Sequence, residues 1–573
     1  MKNLIKFLIF CSIIVTLLAF NKTSILAKET ITKGDFTYSI NGKVATLTKY
    51  NGRAKVVEIP STVNGATVTY IGEKSFYRNY YIVEVKMPNT ILAILDGGFD
   101  YERMDYVGAF RLCKNLKTIV LSSNMTVIGD SAFNSCTSLN KVKLPTKLKN
   151  IKAGAFENCK SLSSLYLPST VSTLGDYAFK DTGLIKLKIP TSMKKIGFNA
   201  LSISSLEEIT VTKGNKYYTS HEGVLYVSDC SNIIQYPQGK KDDTYTVHEN
   251  IEILDISMFS YTQNLKTLIL SKNIRAFYPI SLDESSIEEF AVDERNSRYK
   301  AIDGVLFTKN EKKLILYPTA KKDKVYFVPS GVTDIGMMDF FDLYNPLTYL
   351  EELYIPSSVE RINTVLWKSK ALKKVAFASN CKIERLPPAI FSMCNALESI
   401  VLPDSISSFS NQYYVHDIGI NFSDCINLKS VYIGPNSRIY SQETFASNIF
   451  YGCNNLTLYS YGNNHIVSDI AMYNFVKYVD VSKTSDKVLG ISFNDTSVAI
   501  PKDKTYNINP IIYPSTALNK NVEYSSSDPT IAMVSAEGVV TPIREGTCVI
   551  TVKALDGSGE YARCQIKIYN KLP

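Results

Sequence analysis

Hydrophobic positions along this chain fall into a block, Phe-x-x-Cys-x-x-Leu, that returns at a constant interval: Phe133, Cys136 and Leu139; Phe156, Cys159 and Leu162; then Phe179 with Thr182 in the cysteine slot. The step is 23 residues each time, and a fixed period of this length marks stacked coils rather than one globular core. The block also stands at Phe110, Cys113 and Leu116, at Phe391, Cys394 and Leu397, at Phe422, Cys425 and Leu428, and at Phe450, Cys453 and Leu456. Phe259, Thr262 and Leu265 keep the spacing with threonine in the slot. Each block leads into an alternating run ended by proline, such as Val142-Lys143-Leu144-Pro145, Leu165-Tyr166-Leu167-Pro168 or Leu353-Tyr354-Ile355-Pro356. Period two makes the run a strand with one buried face, and proline, lacking an N–H, ends it. The pairs Ile128-Gly129, Leu174-Gly175 and Ile196-Gly197 read as turns toward the next coil. One strand, one turn and one short helical or irregular return per repeat predict a mainly β solenoid.

The pattern departs from the block in five places. Residues 28–69 carry short β segments joined through Asn41-Gly42, a hairpin signal, and read as the cap a first coil needs to cover its core. Within the repeats, expected over 70–465, two longer islands at about 212–247 and 293–328 match each other at a spacing of 81 residues: Asn215 with Asn296, Gly223 with Gly304, Tyr236 with Tyr317. Residues 466–483 hold a short closing helix, with Ser468 as its N-cap, and a polar linker. From 484 to 573, close-spaced strands broken by Asp528-Pro529, Glu537-Gly538, Glu545-Gly546 and Asp556-Gly557 predict a small β-sandwich.

Composition adds three points. Lys2 and Lys6 precede an apolar stretch from Phe7 to Phe20, and small Ala27 follows, the pattern of a secretory leader over residues 1–27; the stretch is short for a membrane span. No later stretch is apolar enough to cross a bilayer. The formal charge of +9 is mild for so long a chain and argues against nucleic acid as the main partner. Of the 11 cysteines, six share one repeat position and are expected to stack as small buried hydrophobes, with a disulfide framework as the alternative. Cys548 and Cys564 flank the Gly557-Ser558-Gly559 turn; a disulfide across that hairpin is one reading, two separate thiols the other.

At this point two families are recognisable. Val127-Ile128-Gly129-x-x-Ala132-Phe133-x-x-Cys136-x-x-Leu139-x-x-Val142-x-Leu144-Pro145 resembles the BspA-type leucine-rich repeat of bacterial and protist surface proteins. The islands, such as Asp303-Gly304-Val305-Leu306-Phe307, look like an insertion common in that family. Ser525-Ser526-Ser527-Asp528-Pro529 with Val534-Ser535-Ala536-Glu537-Gly538-Val539-Val540-Thr541 resembles the bacterial Ig-like group 2 domain, with Tyr524 where that family often has tryptophan. The resemblance implies a leucine-rich-repeat solenoid followed by an Ig-like domain, secreted or at the cell surface, engaging extracellular protein or cell-surface ligands as an adhesin, with no catalytic residues and no cofactor.

Enzyme signatures are sparse. His221-Glu222-Gly223 lacks the second histidine of a zincin, and no nucleophile elbow, phosphate loop or Cys-x-x-Cys pair occurs. Acidic neighbours such as Glu207-Glu208, Glu288-Glu289 and Glu351-Glu352 point to opposite faces of a strand. The binding candidates are the outward strand positions Lys141, Lys143, Tyr166, Lys186 and Lys188, with Tyr354 and Tyr432 at the repeat position of Tyr166. They read either as a basic, tyrosine-bearing docking patch or as a solvated sheet face. A secreted glycan-binding or glycan-active factor is the alternative function.

Overall fold

The computed structural model describes residues 29–570 except 102–104, 279–281, 283, 337–346, 364–365, 367, 388, 408–420, 435–436, 438, 440–447, 463–464 and 484. The leader expected over 1–27 lies outside the described residues. The chain divides into two compact units, Met1–Lys240 and Lys241–Pro573.

In the first unit the strands Glu29–Lys33, Phe36–Asn41 and Val44–Tyr50 form an antiparallel cap. Val44–Tyr50 then pairs in parallel with Ala66–Ile71, beginning a sheet that continues through Ala93–Ile94, Val127–Ile128, Asn150–Ile151, Thr173–Leu174 and Lys195–Ile196. On the opposite side of the coils, Val56–Glu58, Glu84–Lys86, Thr118–Val120 and Lys141–Val142 pair in parallel, and further on Lys186–Ile189 pairs with Glu208–Val211. Most coils therefore contribute two strands, not the one expected, but the run Leu165-Tyr166-Leu167, expected as a strand, forms none, and its coil contributes only Thr173–Leu174. The apolar residue of each apolar-glycine pair ends the second strand, and the glycine opens the expected turn, its carbonyl accepting from the N–H of Ala132, Ala178 or Ala200 three residues on. That strand is two residues long, too short for alternation to reveal it.

The repeat block becomes the core between these sheets. Phe76, Phe110, Phe133, Phe156 and Phe179 stack with ring centroids 4.6, 5.2, 5.2 and 5.6 Å apart. The thiols of Cys113, Cys136 and Cys159 donate to the carbonyls of Phe76, Phe110 and Phe133, each one coil back, at 3.0–3.2 Å. Thr182 fills the same slot by donating to Phe179 O at 2.9 Å. What the slot requires is a small buried donor, which explains why cysteine and threonine alternate there. All six block cysteines are buried and unbridged.

Both islands are three-stranded antiparallel meanders: Tyr218–His221, Val224–Val227 and Ile233–Gln235, and Tyr299–Ile302, Val305–Thr308 and Lys313–Leu316. Their matched asparagines do the same work. Asn215 donates to Pro190 O and Met193 O and accepts from the N–H groups of Tyr217 and Tyr218. Asn296 repeats this with Ser271 O, Ile274 O, Arg298 and Tyr299.

The second unit has a parallel sheet from Val325–Phe327 through Glu352–Ile355, Lys374–Phe377, Ser399–Leu402, Ser430–Ile433 and Thr457–Ser460 to Lys477–Asp480. Phe391, Phe422 and Phe450 stack behind it at 5.2 Å steps. The closing helix runs His465–Tyr473. Ser468 sits inside it and bonds back to His465 O, so it is not the N-cap expected. In the C-terminal sandwich, Ser497–Pro501, Tyr561–Tyr569, Gly546–Ala554 and Val522–Ser526 form one sheet, and Tyr506–Asn507, Val539–Pro542 and Ala532–Val534 another. Ile500, Val540, Ile550 and Ile566 are buried in its core. Cys548 lies opposite Ile566, and Cys564 opposite Ile550. The two cysteines are thus diagonal, offset by two residues, and both remain free thiols; the proposed disulfide is not formed.

Candidate functional site

The register of the first unit sets which side chains share its outer strand face. Ile119 and Val142 point inward, so Thr118 pairs with Lys141 on the outside, and Lys143 follows. Leu187 and Ile209 are buried in the same way, which aligns Lys186 with Glu208 and Lys188 with Thr210. Tyr166, between these strands, is 73% exposed. Lys141, Lys143, Lys186 and Lys188 are exposed as well. Lys186 Nζ lies 2.7 Å from Glu208, and this hydrogen bond raises its pKa. The face accordingly carries more positive than negative groups around one large aromatic ring.

Tyr354 and Tyr432 have the same outward direction and a different fate, being 0% and 2% exposed. The chain's own C-terminal sandwich covers them. The Tyr432 ring lies 5.3 Å from that of Tyr513. Tyr354 stacks on Phe327 at 4.6 Å and donates to Glu352 Oε2 at 2.7 Å. Glu352 also accepts from Tyr561 at 2.8 Å and pairs with Arg563 at 3.0 Å. Beside it, Lys374 donates to Tyr561 O, sits 4.1 Å from the Tyr561 ring centroid and 3.7 Å from Glu560. Burial pushes the Glu560 carboxyl up and the Lys374 ammonium down, as expected for charges taken from water together. Gly490 presses on Val401, leaving no room for a Cβ. Ser379, Ser357 and Ser330 bond to Asn494, Asp495 and Ser497 O. Tyr354 and Tyr432 are therefore parts of an internal interface, correcting their expected place in an open binding face.

A second concave feature lies on the return side of the first unit. Residues directly after the stacked phenylalanines form a column, Arg111, Asn134, Glu157 and Lys180, again at 23-residue steps. They line a groove of about 620 Å³ with Tyr106, Asp130, Ser131, Gly154 and Tyr177. Asn134 Nδ2 donates to Glu157 Oε2 at 2.8 Å, and Ser135 Oγ to Asn134 Oδ1 at 2.7 Å. Arg111 Nη1 donates to Tyr106 O at 2.6 Å and to Asp105 at 2.9 Å, while its Nε is buried without a partner. Burial raises the pKa of Asp130 and of Glu157. The column was visible in the sequence; its mixed chemistry hid it from a search for like residues.

Among the described residues no group of three His, Cys, Asp or Glu side chains is placed to hold a metal ion. His221 stands at an exposed hairpin end opposite Val224. No described helix is long and apolar enough to cross a membrane.

Six copies of the BspA type leucine rich repeat region match residues 50–105, 104–222, 240–316 and 324–457. The chain belongs to this family. Residues 487–565 match the bacterial Ig-like domain (group 2), so the C-terminal sandwich is an Ig-like domain. Two uncharacterized proteins of Clostridium acetobutylicum are 33% identical over 90 residues and 32% over 91, each match covering 16% of this chain. The matches span 8% and 23% of those relatives' lengths. An alpha-L-arabinofuranosidase of Bifidobacterium longum is 28% identical over 133 residues, 23% of this chain and 12% of that protein. Among solved structures, a leucine rich cell surface protein of Faecalibacterium prausnitzii is 20% identical, covering 77% of this chain and 97% of that one, with a TM-score of 0.36. The pneumococcal vaccine antigen PcpA is 18% identical, covering 79% and 98%, with a TM-score of 0.43.

Proposed function

We propose that this BspA-type protein is a non-catalytic binding protein, exported and displayed or released outside the cell, that engages an acidic protein surface through the outer strand face of its first unit. The observation that supports this reading is the exposure of Lys141, Lys143, Tyr166, Lys186 and Lys188 on three successive coils, beside Val142, Leu167 and Leu187, which pack into the core. A coil face offering an aromatic ring amid basic side chains suits protein recognition: the ring supplies buried area and the lysines steer an acidic partner. The Ig-like domain acts as a spacer and as a cover for the strand face of the second unit.

The test presents the purified chain to immobilised extracellular matrix proteins and to intact host cells, beside a variant carrying Lys141→Glu, Lys143→Glu, Lys186→Glu and Lys188→Glu. Binding that weakens with rising salt and falls at least about tenfold in the variant supports the assignment. Binding indifferent to all four reversals removes the strand face from consideration. Cell fractionation checks export independently.

A further inference from the structure

The groove on the return side of the first unit is built by departures from the repeat. Ser131, Gly154 and Tyr177 occupy one coil position, immediately before an alanine and the stacked phenylalanine, and all three have positive φ, 54°, 58° and 57°. A large ring at that position is therefore compatible with the coil, as Tyr177 demonstrates. Serine and glycine in the two preceding coils leave a dent, which Tyr177 closes at one end. At the other end, the hairpin of Gly98–Asp100 and Asp105–Val107 brings in Tyr106, 60% exposed and set edge-on to Phe99 at 5.1 Å. Arg111 and Asp105 fasten that hairpin to the coil, so the Tyr106 wall has a fixed seat. Tyr177 is supported likewise by Phe198, edge-on at 5.7 Å, and by Lys180, 5.4 Å from its ring centroid.

Between the two rings the wall offers donors and acceptors side by side. Arg111 and Lys180 donate, Glu157 and Asp130 accept, and Asn134 does both. Two cations face two carboxylates, so neither an acidic nor a basic ligand gains from the field as a whole. A peptide adding as a strand needs an open sheet edge, and the coil here is turns. The column advances with the phenylalanine stack behind it, at 5.2, 5.2 and 5.6 Å, a step close to the length of a pyranose ring. A ligand dense in hydroxyls, each both donor and acceptor, with flat apolar ring faces to lay on tyrosine, satisfies every one of these features.

We propose that this groove binds two or three consecutive rings of an uncharged glycan, with Tyr106 and Tyr177 as stacking platforms and Arg111, Asn134, Glu157 and Asp130 bonding to ring hydroxyls. The site is separate from the strand face and does not rest on the protein-binding reading.

The full chain is titrated by calorimetry with four neutral trisaccharides: maltotriose, cellotriose, xylotriose and triacetylchitotriose. Saturable binding of at least one is expected. Tyr106→Ala and Tyr177→Ala each weaken it about tenfold, the scale of one aromatic contact. Ser131→Tyr, which copies the residue the next coil already tolerates, fills the dent and abolishes binding at an unchanged melting temperature. The four strand-face lysine reversals leave it unaltered. Failure of all four sugars to bind overturns the proposal, as does sugar binding that survives Ser131→Tyr. Capture of a peptide from a digest of matrix proteins, lost in Ser131→Tyr, also overturns it and makes the groove a peptide site.

Discussion

In the first unit the outward strand positions meet solvent, with Tyr166 73% exposed, whereas at the same repeat position in the second unit Tyr354 is fully buried beneath the Ig-like domain. The inward sides hardly differ. Both units stack phenylalanines at 5.2 Å steps and seat a thiol on a carbonyl of an earlier coil. One repeat thus specifies one core and leaves its outer face open to quite different uses. What separates the uses is a small number of substitutions on the strand: lysines flank the first unit's outward ring, while Glu352 and Lys374 in the second unit are matched to Arg563, Glu560 and Tyr561.

If the cores are equivalent, Phe133→Ala and Phe422→Ala should each cost about 3–5 kcal/mol, the range for deleting a buried ring. Denaturant unfolding of the two variants checks this; a twofold disparity between them would break the equivalence. Next in size is Lys374→Met, which leaves Glu560 and Glu352 buried with less positive charge to meet them. A loss of about 3 kcal/mol in the docked state is expected, read as faster proteolysis in the linker before the sandwich at an intact repeat core. Gly490→Leu reaches the same undocked state by steric means, since Val401 occupies the space any Cβ needs, and should expose Tyr354 and Tyr432 to iodination. In the first unit the four lysine reversals should change stability by less than about 0.5 kcal/mol, as surface substitutions do. Equal destabilisation by Lys374→Met and by those reversals would erase the distinction between a covered and an open face.

The weakest contrast is in acid. Lys373 and Lys324 hold the Glu351 carboxyl down at about 2 from its ordinary 4.5. A depressed folded-state pKa contributes stability above the unfolded value, lost as pH falls from about 4.5 toward about 2. Asp130 and Glu157 in the first unit are raised by burial, so their effect has the opposite sign: stability decreases as pH rises from their unfolded values through their folded ones. Glu351→Gln should flatten the acid limb of the second unit's unfolding, and Glu157→Gln should raise the first unit's stability at neutral pH. Both are read from melting temperature against pH.

Much of this was legible because the repeat is local. The Phe, Cys and Leu positions predicted the stacked core, and alternation predicted which residues of Leu165-Tyr166-Leu167 face outward. The second strand of each coil was not legible: Val127–Ile128 is held by its partners on neighbouring coils, and two residues carry no period of their own. Nor were the diagonal placement of Cys548 and Cys564 or the groove. The former depends on a register set across a hairpin; the latter depends on one coil lacking what its neighbour has.

Tyr166, Tyr354 and Tyr432 mark the boundary between the two kinds of knowledge. Sequence alone determined that all three leave the same side of a coil, because the direction of a side chain is decided by its immediate neighbours and the alternation of inward and outward positions. Tertiary structure decided that one meets water and two meet the Ig-like domain. That outcome rests on contacts between residues more than a hundred positions apart, such as Glu352 with Tyr561 and Ser379 with Asn494, whose pairing no local pattern records.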